Sequence, residues 1–299
     1  LWFIFRVSVP EIMRHPCYLP RPLVQVWYTR VVSSKRHIRE STRTMKYLDP
    51  NSNRYKTWEQ ATETTLTPSK PIIIRLDGKA FHTFTKQPWC DSLFSTTLAR
   101  MFEGTLRYLC ENIQGCVLGY HQSDEMTLVL TQRTPESEMF LGGRVQKIVS
   151  VAASMGTMRF NELYQDLIPR EMRGLPAVFD ARVFQVDDLA DAAGCVRWRA
   201  DDAVKNSKHM LARSVFPHHQ LHGKSSNEMV DMMSAAGVDY YAVPGRFRCG
   251  SLGVRRPTMV PVPAEYAKTP GEMVERHKWV VEEYTPETVD AVLTPETPH

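Results

Sequence analysis

At 299 residues, with 42% apolar, 23% charged and 10% aromatic side chains, the chain can bury a large core and has the composition of a soluble globular protein. No apolar run approaches the roughly 20 residues a membrane helix needs, which excludes a helical span. The net charge of +4 is unevenly held: residues 1–44 carry eight Lys/Arg against two Asp/Glu, a surplus of six, leaving −2 for the rest. Nucleic-acid binding therefore cannot rest on overall charge and needs a local basic surface.

Residues 1–44 are rich in Arg and Ser and show no sustained period, so they read as a leader outside the fold, with Met45 as the start. A helix is expected near 55–63. Pro71-Ile72-Ile73-Ile74-Arg75-Leu76 then reads as a buried strand ending in Asp77-Gly78. Residues 91–112 place Leu93, Phe94, Leu98, Met101, Phe102, Leu106 and Leu109 at helical spacing, with Asp91 or Ser92 as N-cap. A hairpin follows at 116–131, turning at Gln122-Ser123-Asp124-Glu125. A second helix, 142–164, and an alternating strand, 177–184, complete a βαββαβ order. This is an α+β, ferredoxin-like sheet with two helices on one face, the plan of many palm domains. Residues 187–214 read as helical, and the chain from Pro244 onward as Pro-rich and irregular. The expected division is a leader at 1–44, a palm-like catalytic domain at 45–186 and a helical, irregular region at 187–299.

Six cysteines at 17, 90, 110, 116, 195 and 249 form no C-x-x-C pair, which points to reduced thiols and a cytoplasmic protein. His218, His219 and His222 match no common zinc spacing. Gly223-Lys224-Ser225 has the tail of a phosphate loop without its upstream glycine, and is rejected as one.

Asp77 and Asp124 carry the chemistry. A carboxylate at a buried strand end is poorly solvated unless a cation meets it. Two such ends on neighbouring strands can hold two Mg²⁺ ions about 3.5–4 Å apart, the arrangement of phosphoryl and nucleotidyl transfer. Asp-Gly and Ser-Asp-Glu are also ordinary turn sequences. The helix between them, which brings the two strand ends together, favours the metal site.

The segment Arg75-Leu76-Asp77-Gly78-Lys79-Ala80-Phe81-His82-Thr83-Phe84 resembles the R-x-D-G-x-x-F-H-x-F motif of the tRNA-histidine guanylyltransferase family. Tyr120-His121-Gln122-Ser123-Asp124-Glu125 resembles its Y-x-Q-S-D-E hairpin, and Phe179-Asp180-Ala181-Arg182 and Trp198-Arg199 its F-D-x-R and W-R positions. The four strings stand in the family's order across roughly residues 55–250. The resemblance implies 3′→5′ addition of nucleotides to the 5′ end of tRNA. It assigns Asp77, Asp124 and the Gly78 carbonyl to two Mg²⁺ ions, with Glu125 in a supporting catalytic role. ATP or GTP would bind Asp77, Gly78, Lys79, Ala80, Phe81 and His82, where the turn's amides could cradle phosphates, together with Ser123, Asp124 and Lys147. Relatives are tetrameric, so a homo-oligomer is expected.

Where eukaryotic members carry His-Ile-Asn-Asn, this chain has Val204-Lys205-Asn206-Ser207. That form looks more like the bacterial and archaeal members, and implies template-directed 5′-end repair rather than strict guanylyl addition to tRNA-histidine. The rival readings are a nucleotide cyclase or another palm nucleotidyltransferase, and a non-catalytic RNA-binding module. Arg246, Arg248, Arg255 and Arg256 are candidate phosphate grips or plain surface charges.

Overall fold

A computed structural model describes residues 50–294 except 91, 133, 135, 136, 264, 267, 268 and 270. The leader and Asp91 lie outside the described residues. Cα packing divides the chain between Glu59 and Gln60. Helix α1 (Pro50–Ala61) spans that boundary and carries an edge-on contact between Tyr55 and Trp58.

From Ile72 the order is β1 (Ile72–Gly78), α2 (Thr96–Asn112), β2 (Cys116–Gln122), β3 (Glu125–Leu130), α3 (Val145–Leu167), β4 (Phe179–Gln185) and α4 (Leu189–Val215). Helix α5 (Ser226–Ala235), strands β5 (Ser251–Pro261) and β6 (Met273–Glu283) and helix α6 (Pro286–Leu293) follow. The strands form one antiparallel sheet in the order β4-β1-β3-β2-β5-β6. The expected βαββαβ core is present as the first four of these.

Alternation along β1 divides its side chains between two cores. Ile72, Ile74 and Leu76 meet α2 and α3 through Met101, Phe102, Leu106, Ile148 and Phe160. Ile73 faces the other way, with Leu118, Tyr120 and Val129, against Ala192, Ala193, Val196 and Ala200 of α4 and Val289 of α6. Small alanines let α4 sit close to the sheet, so both faces are covered, not one.

Two local expectations change. Ser95, not Ser92, caps α2 by accepting from the Leu98 amide. The segment from Pro244 is not irregular throughout, because it contributes β5 and β6. Their inner ends join the sheet, where Gly119–His121 pair with Ser251–Gly253, while beyond Val254 strand β5 pairs with β6 alone. Pro257 sits in that outer part, on a strand with one free edge, where a missing amide breaks no ladder. Ser225 forms a capping box with Glu228 at the start of α5, so Gly223-Lys224-Ser225 is helix-start chemistry.

Candidate active site

The site forms where β1 ends beside the β2–β3 turn. Asp77 is paired in register with Glu125 on β3 and with Asp180 on β4. Residues directly opposite in antiparallel strands share a face, with Cβ atoms about 5 Å apart. Three carboxylates therefore lie in one row across β4, β1 and β3. Asp124 follows at the turn, where its carbonyl accepts from the Gly78 amide at 3.0 Å.

Such a row is unfavourable unless neutralised, and two of its members are. Glu125 accepts from Arg199 of α4 at 2.7 Å and lies 3.8 Å from Arg75. Asp180 lies 4.0 Å from Arg182. Among the described residues, no cation pairs with Asp77 or Asp124. Burial pushes the Asp124 carboxyl above the usual carboxylate range; hydrogen bonds from Ser123 and its own backbone oppose this, and the charges of Asp77 and Glu125 add to it. The buried Glu125 carboxylate also ties α4 to the sheet through Arg199.

Both turns are tightly shaped. Ala80 and Ser123 adopt left-handed backbone, with φ of 57° and 51°, a conformation non-glycine residues enter at some cost. Gly78 is needed for space, since a Cβ there would fall 2.2 Å from the Phe81 ring. Phe81 anchors the turn in an aromatic cluster with Phe84, Phe102, Phe160 and Phe179 at 4.9–5.6 Å. The amides of Gly78 and Lys79 are engaged by Asp124 and Val178, so they leave the expected phosphate cradle. Those of Ala80, Phe81 and His82 have no acceptor among the described residues.

His121, which sequence reasoning left out, secures the second turn. Its Nε2 lies 2.9 Å from the Ser123 carbonyl, and its ring stacks on Phe102 at 4.7 Å. Burial lowers its pKa to about 4, against the Ser123 hydrogen bond, so the neutral ring donates Nε2–H and fixes the turn carrying Asp124. A polar residue between buried Tyr120 and the Gln-Ser-Asp string was the signal available.

A cavity of about 640 Å³ opens beside this turn, bordered by Phe81, His82, Ser123, Asp124, Asn206 and Phe247. It is large enough for a nucleoside.

Lys147 does not join the site within the chain. Thr157 of α3 bonds the Phe179 amide, next to Gly78, and Lys147 lies ten residues earlier, about 15 Å along the helix. The four late arginines do not form one grip. Arg246 pairs with Glu103 at 3.4 Å, Arg256 with Glu282 at 2.5 Å, and Arg248 donates to the Val243 carbonyl. Arg255 is exposed and covers the Trp279 ring. Ser207, within the Val204–Ser207 run, is buried on Tyr240 and the Arg248 carbonyl, and so serves the fold.

A family model described as "Thg1: tRNAHis guanylyltransferase" matches residues 52–187. A bacterial tRNA(His) guanylyltransferase (Thg1)-like protein solved in complex with ATP superposes with a TM-score of 0.68 at 30% identity, over 82% of this chain and 100% of that one. Its counterpart in complex with GTP gives 0.66 and 28% over the same shares. The tRNA(His) guanylyltransferase of Schizosaccharomyces pombe is 26% identical over 203 residues, 64% of this chain and 76% of that protein. Palm-like sheet and acidic hairpin thus define the class, a nucleotidyltransferase. The chain belongs to the tRNA(His) guanylyltransferase family. Among the described residues no helix is long and apolar enough to cross a membrane.

Proposed function

We propose that the protein is a Mg²⁺-dependent 3′→5′ nucleotidyltransferase that rebuilds the 5′ ends of tRNAs against a template strand. ATP or GTP would activate the end, and any templated triphosphate would extend it. The observation carrying this reading is the unequal neutralisation of the acidic cluster: Glu125 pairs with Arg199 and exposed Asp180 lies beside Arg182, while among the described residues Asp77 and Asp124 have no cation.

The donor set suits a hard cation. Asp77, Asp124 and the Gly78 carbonyl offer oxygen only, and among the described residues no group of three His, Cys, Asp or Glu forms a closed cage. Mg²⁺ takes its remaining ligands from phosphate and water, and bound here it would offset charge developing on the transferred phosphate. The amides of Ala80, Phe81 and His82, without an acceptor among the described residues, would hold triphosphate oxygens. The Ser123 hydroxyl, 3.1 Å from Asp124 Oδ1, holds that carboxylate in orientation. The adjoining cavity takes the nucleoside. Template pairing supplies base choice, which accords with Ser207 being occupied in the fold.

Incubation with 5′-truncated tRNAs carrying varied template bases, with each triphosphate and with or without EDTA, tests this. Extension should follow the template and stop when Mg²⁺ is chelated. No extension of any RNA would end the proposal; one guanosine added whatever the template would favour obligatory guanylyl addition. Assembly as a homotetramer belongs to the same reading, and light scattering should return four chain masses.

A further inference from the structure

Trp198 lies on the flank of α4 with 56% of its surface exposed. A lone exposed aromatic usually needs no explanation, but this one is mounted. The Arg199 guanidinium sits 4.7 Å from the ring centroid and that of Arg75 5.5 Å. Arg199 lies between Glu125 at 2.7 Å and Asp202 at 3.2 Å, and Arg75 lies 3.8 Å from Glu125. Two carboxylates thus balance the two guanidiniums, which flank the indole rather than reach for phosphate.

The mount faces the reacting end of the sheet. Arg75 precedes Asp77 by two residues on β1, so both project from one face about 7 Å apart. Arg182 pairs with Arg75 in register and shares that face. Arg182, which lies 4.0 Å from Asp180, is exposed, as is Lys79 just past the end of β1. An aromatic plane, surface cations and the two unpaired carboxylates thus stand within reach of one another. Base, phosphate and metal-binding chemistry meet in this way at the end of a nucleic acid strand.

We propose that the Trp198 indole is the stacking platform for the 5′-terminal base of the RNA being extended, an inference that rests on the function proposed above. Stacking accepts every base, since each has a π face. The platform therefore positions the end without reading it, and leaves selection to the template.

The test compares wild type, Trp198→Leu and Trp198→Phe on a 5′-truncated tRNA and on the same RNA with an abasic 5′-terminal nucleotide. Extension kinetics and anisotropy of the labelled RNA without triphosphate are both read. Trp198→Leu should raise the KM and Kd for the intact RNA about tenfold or more, the loss expected for one stacked base. The KM for triphosphate should not change, Trp198→Phe should retain most of the affinity, and wild type and Trp198→Leu should become equal on the abasic RNA. An equal penalty on both RNAs, or no penalty, overturns the platform, even if Trp198→Leu lowers the melting temperature. A wild type that binds RNA but extends none overturns the function instead, and the anisotropy comparison still decides the stacking.

Discussion

At the scale of single residues, the site is defined by which carboxylates lack a cation. Asp77→Ala is expected to lower turnover by more than the roughly 10–100-fold that loss of a partner behind a metal ligand costs, while RNA affinity changes little. Single-turnover extension and anisotropy check the two halves separately. Asp124 makes a sharper case because its folded pKa is raised. Folding then favours the protonated form, so the ionised carboxylate destabilises the protein at neutral pH, and that cost is relieved as pH falls through the folded value. Asp124→Asn should therefore melt above wild type near pH 7 without metal, with the gap closing in acid. Added Mg²⁺ should raise the wild-type melting temperature and leave the variant nearly unmoved. A variant that melts lower at neutral pH would contradict this electrostatic account.

At the scale of elements, α4 is held to the sheet by a buried ion cluster as well as by alanine packing. Glu125→Ala would leave Arg75 without its acid and Arg199 with Asp202 alone, so the loss should approach the lower end of the roughly 3–5 kcal/mol that breaking a buried pair costs. Urea unfolding should show a lower midpoint with an unchanged slope; a wild-type midpoint would mean that Glu125 does not anchor the helix. Elements were also where sequence reading succeeded and stopped. Asp77 and Asp124 were legible because each closes an apolar run, and the helix between them implied that the strand ends meet. The distance of Lys147 from Asp77 was not legible because helical spacing shows which residues share a side, not which end of the helix nears the site. Strands β5 and β6 were hidden because Arg255, Pro257, Arg276 and Lys278 interrupt any apolar alternation. Half of that hairpin is exposed, so burial never imposed the pattern. The Glu125–Arg199 pair was hidden because its partners are 74 residues apart, a distance no local motif bridges.

For the whole molecule, the sheet does not stop where the expected palm domain stops. β5 pairs with the stretch of β2 containing His121, and α4 covers the second face. A chain ending at Gln185 is therefore expected to lose cooperative unfolding and all measurable nucleotide transfer. Circular dichroism melting and the extension assay check this, and a sharp transition in the short chain would show that 45–186 is self-sufficient.

The turn at Ser123-Asp124 joins two strands that are each paired on both sides. Because side chains alternate, slipping either strand by one place would exchange the residues of its two cores and carry Asp124 away from Asp77. Descendants of this gene can thus vary the chemistry of the hairpin letter by letter, but insertions and deletions between Cys116 and Leu130 should be purged from the lineage.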